Sequence, residues 1–230
     1  MKKKFNTKVI HAGHGSDKET GAVMPPIHLS STFKQIEPGN FEYEYARTKN
    51  PSRDVLEKLL AQIESGHKAF AFASGMSAIN TVCDLFGTNF HIICSDDVYG
   101  GTRRLFDKVK SDIEVTYIDF DKNVNWNDEI KENTKFIWVE TPSNPLMKII
   151  DVKNTVSIAS EFNLPVICDN TFASPFNQRP LELGADMVVS SSTKYLGGHS
   201  DIVGGSIVIK QNKEYAEKIS YIQNAVGAIP

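Results

Sequence analysis

Four short strings carry side chains able to do chemistry, and each lies where an apolar run gives way to polar residues. The first is Ser190-Ser191-Ser192-Thr193-Lys194-Tyr195-Leu196-Gly197-Gly198-His199. A partly desolvated lysine becomes a nucleophile because its pKa falls, and the hydroxyls before it suit phosphate oxygens. A solvated surface lysine would also account for Lys194 on its own. The second string, Pro165-Val166-Ile167-Cys168-Asp169-Asn170, ends an apolar run on a carboxylate. Asp169 would suit a cationic ring nitrogen or a metal, or simply cap a turn. The third, Ala73-Ser74-Gly75-Met76-Ser77, has the form of a strand passing through a tight turn into a helix. Backbone N–H groups there make a phosphate seat, although an ordinary βα turn also favours glycine. In the fourth, Asp96-Asp97-Val98-Tyr99-Gly100-Gly101-Thr102, the Tyr99 ring is placed either to stack on a planar cofactor or to pack.

The combination narrows these options. A phosphate seat, an aromatic face, a carboxylate and a nucleophilic lysine are the groups that pyridoxal 5'-phosphate (PLP) requires. Its phosphate needs donors, its ring nitrogen needs a carboxylate to stay protonated, and its aldehyde needs an amine. Neither GxxxxGK[ST] nor a GxGxxG after the first strand occurs, which weakens a nucleotide reading. His11 and His14 lack a third ligand, so no metal is expected.

The elements that must carry these groups follow from periodicity. Runs resembling strands are Ala69–Ala73, His91–Ser95, Ile113–Ile118, Phe136–Glu140, Pro165–Asp169, Met187–Ser190 and Ser206–Ile209. Between them lie helical patterns over Met76–Leu85, Gly101–Lys110, Asp151–Phe162 and Lys213–Asn224. A further helix is expected from Asn50-Pro51, with Val55, Leu59, Leu60 and Ile63 on one face and Gly66 at its end. Such alternation predicts an α/β fold with a mostly parallel seven-stranded sheet covered on both faces, and ligands at the strands' carboxyl ends. Residues 1–50, rich in Gly, Pro and Thr, read as an extended N-terminal arm. Residues 51–230 read as the large domain.

Bulk properties add exclusions. The formal net charge is -3, which gives no reason to expect nucleic acid or an anionic membrane as partner. Met1-Lys2-Lys3-Lys4 is basic, but no apolar run follows it, so neither a signal peptide nor a membrane span is expected. Cys83, Cys94 and Cys168 are odd in number and lack CxxC spacing, as for free thiols in a reducing cytoplasm.

Over residues 5 to 230 the sequence resembles the Cys/Met-metabolism family of PLP enzymes, which includes the cystathionine lyases and synthases and methionine γ-lyase. The strings that carry the likeness are Tyr45-Ala-Arg-Thr-Lys-Asn-Pro-Ser52, Phe72-Ala-Ser-Gly-Met76, Asp97-Val-Tyr-Gly-Gly-Thr102, Glu140-Thr-Pro-Ser-Asn-Pro145, Asp169-Asn-Thr-Phe172 and Ser191-Ser-Thr-Lys-Tyr-Leu-Gly-Gly-His-Ser-Asp201. The resemblance implies a fold-type-I PLP-dependent transferase, an aspartate aminotransferase-like large domain. It implies that Lys194 forms the Schiff base and moves protons, that Asp169 pairs with the pyridinium, and that Tyr99 stacks on the ring. Gly75, Met76, Ser191 and Thr193 would hold the phosphate, with Asn144 and Glu140 near the ring. Tyr45 and Arg47 would reach the phosphate of a neighbouring subunit, making a homodimer the minimum unit and a homotetramer the usual assembly. Glu44 would face a distal substrate ammonium.

The implied reaction is γ-elimination or γ-replacement on cystathionine or an activated homoserine. Gly101 stands where methionine γ-lyases carry cysteine, which argues against that activity. Ser190 replaces a usual histidine, with a mild effect expected. The resemblance also implies a C-terminal small domain bearing an arginine for the substrate α-carboxylate. These 230 residues stop short of it, so slow turnover, or a non-catalytic paralogue that keeps the fold, is the alternative expectation.

Overall fold

The computed structural model describes residues 4–120, 122 and 124–230; the basic Met1-Lys2-Lys3 end lies outside them. The seven strands are β1 (Lys68–Phe72), β2 (Phe90–Ser95), β3 (Ile113–Ile118), β4 (Thr134–Glu140), β5 (Val166–Asp169), β6 (Met187–Ser190) and β7 (Gly205–Ile209). They form one sheet in the order β1-β7-β6-β5-β4-β2-β3. Pairing is parallel from β6 across to β3, and β7 alone runs antiparallel, to β1 on one side and β6 on the other. Every residue of β2, β5, β6 and β7 is buried, as expected where both faces of a sheet are covered.

The helices in chain order are α1 (Phe5–His11), α2 (Pro51–Ile63), α3 (Gly75–Phe86), α4 (Gly100–Arg104), α5 (Trp126–Glu129), α6 (Val152–Glu161), α7 (Ser174–Asn177), α8 (Pro180–Leu183) and α9 (Lys213–Val226). Their starts are chemically specified. Asn50 accepts from Ser52 and Arg53 N–H with Pro51 at the first position of α2; Asp151 accepts from Asn154 N–H, and Asn212 from Tyr215 N–H. Gly227 closes α9 in the left-handed conformation (φ 76°). One core joins α3, α9 and Phe106 to one face of the sheet around Phe70, Phe72, Phe136 and Trp138. The other face is covered in two patches, one around Ile93, Val139 and Cys168 with α6, the other around Leu60, Ala71 and Val188 with α2 and α8.

Two expectations need correction. The arm is not wholly extended, because α1 docks its Phe5 ring edge-on to Phe176, 5.7 Å between centroids. The helix expected over Gly101–Lys110 starts at Gly100 and widens into a π-turn over Leu105–Val109, where Lys110 N–H reaches back to Leu105 O. The four-residue helices α5, α7 and α8 are too short to produce a periodic pattern. The three cysteines are free and buried, and no helix among the described residues is long and apolar enough to cross a membrane.

Candidate active site

β6, β5, β4 and β2 are neighbours in the sheet, and their carboxyl ends deliver Lys194, Asp169, Asn144 and Tyr99 to one place. The cavity there has a volume of about 750 Å³ and is lined also by Gly75, Met76, Glu140, Ser191 and Thr193. Gly75 arrives from the far edge strand β1 because α3 starts there and crosses towards β6. The turn is tightly wedged: a Cβ on Gly75 would lie 2.8 Å from Ser191 Cβ, and one on Gly205 would lie 2.1 Å from Ser74 O. Ser74 Oγ accepts from Ser77 N–H at 3.0 Å and Ser77 Oγ accepts from Ser74 N–H at 3.0 Å. The first N–H groups of a helix have no intrahelical acceptor, so those of Gly75 and Met76 remain for a ligand at the pocket floor.

Asp169 is buried and accepts from Thr171 N–H at 3.0 Å. Thr171 Oγ1 in turn accepts from Ser191 N–H at 2.8 Å, tying the Asp169 turn to the lysine loop. Glu140 is the strand partner of Asp169 on β4, so two carboxyls stand side by side. Burial raises both; the Glu140 carboxyl is pushed up to about 8, by desolvation first and by Asp169 second. Glu140 accepts from Tyr99 N–H with both oxygens, at 3.1 and 2.9 Å, which fixes the start of the Tyr99 turn.

The remaining expected residues are less committed. Tyr99 is half-exposed, and Lys194 is exposed, with no side-chain partner for its Nζ among the described residues. The desolvation expected of Lys194 is therefore not present, since no described part of this chain covers the outer side of the pocket. Thr193 Oγ1 is engaged with Gly204 at both ends, donating to its carbonyl and accepting from its N–H. Glu44, Tyr45 and Arg47 do not line this cavity. Arg47 instead donates to the carbonyl and side-chain oxygens of Asn224 on α9. Thr171 and Phe172 stood in the string Asp169-Asn-Thr-Phe172 without a role of their own; Thr171 ties two site loops, and the Phe172 ring meets Tyr195 edge-on at 6.1 Å. No group of three metal-ligating side chains occurs among the described residues.

The pattern that defines the Cys/Met metabolism PLP-dependent enzymes matches residues 6–230. This chain belongs to that family. Among its relatives, cystathionine beta-lyase of Coxiella burnetii is 47% identical over 99% of this chain and 60% of its own length. Cystathionine gamma-lyase of Bacillus subtilis is 47% identical over 100% of this chain and 60% of its own. The solved cystathionine gamma-lyase from Lactobacillus plantarum, complexed with L-serine, superposes with a TM-score of 0.94 at 47% identity. It is matched over 99% of this chain and 60% of its own. The chain thus spans about 60% of the length of these relatives. The fold is that of this family's PLP enzymes, and the donor set fits the cofactor: free helix N–H groups for a phosphate, a buried carboxyl for a ring nitrogen, and a free amine between them.

Proposed function

We propose that this chain is the PLP-binding large domain of a trans-sulfuration enzyme, a carbon–sulfur lyase or transferase acting on cystathionine or an activated homoserine. The observation that carries the reading is the convergence of Lys194, Asp169, Tyr99 and Asn144, from four adjacent strand ends, with the Gly75–Met76 amides on one cavity.

PLP bound here supplies an electron sink for a carbanion at the substrate Cα. Lys194 Nζ would hold the cofactor, and the same amine would be the base for a proton at the substrate Cα and, for γ-chemistry, at Cβ. Asp169 would pair with the ring nitrogen, and Glu140, raised by burial first and by Asp169 second, stands beside it on the neighbouring strand. The Tyr99 ring would face the cofactor, with its backbone fixed by Glu140. Gly75 and Met76 N–H and the Ser191 hydroxyl would hold the phosphate, and Thr193, whose O–H here donates to Gly204, would be a further donor. Asn144 borders the ring from the β4 loop. Tyr45 and Arg47, outside the cavity, serve the phosphate site of a second copy, and Glu44 faces a distal ammonium there. The unit is then a homodimer or tetramer of shared sites, with residues 1–50 as the exchanged arm, and it works in the cytoplasm. Relatives named cystathionine beta-lyase and gamma-lyase are equally similar, at 47% identity, so β-elimination from cystathionine is the second reading.

The test is direct. The chain incubated with PLP is expected to turn yellow, and the Lys194→Ala variant to lose the violet-edge band. A wild type that stays colourless would sink the proposal. Pyruvate from cystathionine would mark β-elimination and 2-oxobutanoate γ-elimination; cystathionine from acyl-homoserine plus cysteine would mark a synthase.

A further inference from the structure

Two buried carboxylates cross between the loop that carries Tyr99 and the loop that carries Asn144, in opposite directions. Glu140, at the end of β4, reaches to Tyr99 N–H. Asp97, two residues before Tyr99, reaches the other way. Its Oδ2 accepts from the Ser143 hydroxyl and, at 2.9 Å, from Leu146 N–H. Ser143 is fully buried and completes the turn by accepting from Lys148 N–H at 2.8 Å. Asp97 is itself buried and borders no part of the cavity.

We propose that Asp97 is a positioning residue, fixing the 141–148 loop so that Asn144 is held across the pocket from Tyr99. The claim about the pocket rests on the PLP reading above; the brace itself does not. A single carboxylate oxygen receives both hydrogen bonds, so geometry and not charge is the requirement. An asparagine can present one carbonyl oxygen in the same place. An alanine removes that acceptor and leaves a buried hydroxyl and an N–H unpaired.

The experiment uses the whole chain, with Asp97→Ala and Asp97→Asn variants. Hydrogen exchange is measured first without cofactor. Asp97→Ala is expected to speed exchange at Leu146 by about tenfold or more while β5 and β6 stay protected, and Asp97→Asn to remain within about threefold of wild type. PLP is then added, and affinity and visible circular dichroism are read. The alanine variant is expected to bind about tenfold more weakly with an altered band, and the asparagine variant to restore both. Unchanged protection at Leu146, an asparagine variant as impaired as the alanine one, or an unaltered cofactor band would each overturn the proposal. So would loss of protection throughout the sheet, which would make Asp97 a general scaffold residue. A wild type that takes up no PLP defeats the function proposed above, while the exchange result still decides whether the brace exists.

Discussion

At the scale of single residues the pocket is crowded where it must be and open where chemistry would occur. A Cβ on Gly101 would lie 2.4 Å from Tyr99 Cε1 and 3.0 Å from Met76 Sδ. Gly101→Cys is therefore expected to displace the Tyr99 ring and to cost about 1–3 kcal/mol, as overpacking does. Urea denaturation would give the loss and visible circular dichroism of the PLP-bound chain the displaced ring; an unchanged band would mean the ring does not contact the cofactor. That Lys194, Asp169 and Tyr99 would gather at one cavity was legible in the sequence because each comes after an apolar run, and strand ends are where such folds bind ligands. Asp97 stood two residues from Tyr99 in a string already singled out, yet its partners lie more than forty positions away at Ser143 and Leu146. Only the pairing of β2 with β4 brings those loops together, and no local pattern encodes it. The exposure of Lys194 escaped the sequence for a related reason: burial is decided by what else covers a site.

At the scale of elements, caps and clamps decide how firmly each loop is held. Ser74→Ala would remove the acceptor for Ser77 N–H and is expected to cost about 1 kcal/mol, with weaker phosphate affinity because the α3 amides lose their register. The arm's last turn is held from α2: Arg53, buried, donates to the carbonyls of Ala46, Arg47 and Thr48 and pairs with Glu57 at 3.8 Å. Arg53→Met would leave those carbonyls and a mostly buried Glu57 without a cation. We expect a loss of roughly 3 kcal/mol in chemical denaturation, together with faster proteolysis between residues 40 and 50. Loss of stability without faster cleavage would show that the turn is held mainly by Asn224. The seven strands and the long helices were legible from periods of two and 3.6. The direction of β7 was not, because alternation of apolar residues says nothing about which way a strand runs. Nor was α1, whose side chains find their partner in the distant Phe176.

For the molecule as a whole, the buried acids set the response to pH. Burial raises Glu57, Glu64 and Asp169, Glu64 to about 7, as it raises Glu140 to about 8. Each keeps its proton in the folded chain to higher pH than in the unfolded one. Their stabilising contribution is full below about 4.5, the usual value for glutamate, and is lost as pH rises through the folded values. His91 acts oppositely: wholly buried between the Thr116 and Thr134 hydroxyls, it is lowered by burial, so stability falls as pH drops below about 6.5. Cofactor-free chain is accordingly expected to lose urea resistance between about pH 7 and 8, where His91 is mostly neutral in both states, and Glu140→Gln to flatten that slope. A flat wild-type profile would mean that these acids are ionised in the fold. The late position of β7 has a consequence of another kind. Among the described residues β1 pairs with no strand except β7, so β1 waits for a strand made more than a hundred residues later, a delay on the order of ten seconds at ordinary rates of synthesis. During that interval Phe70 and Phe72 sit on an open edge, and a nascent chain released before Gly205 is expected to precipitate or to recruit a chaperone.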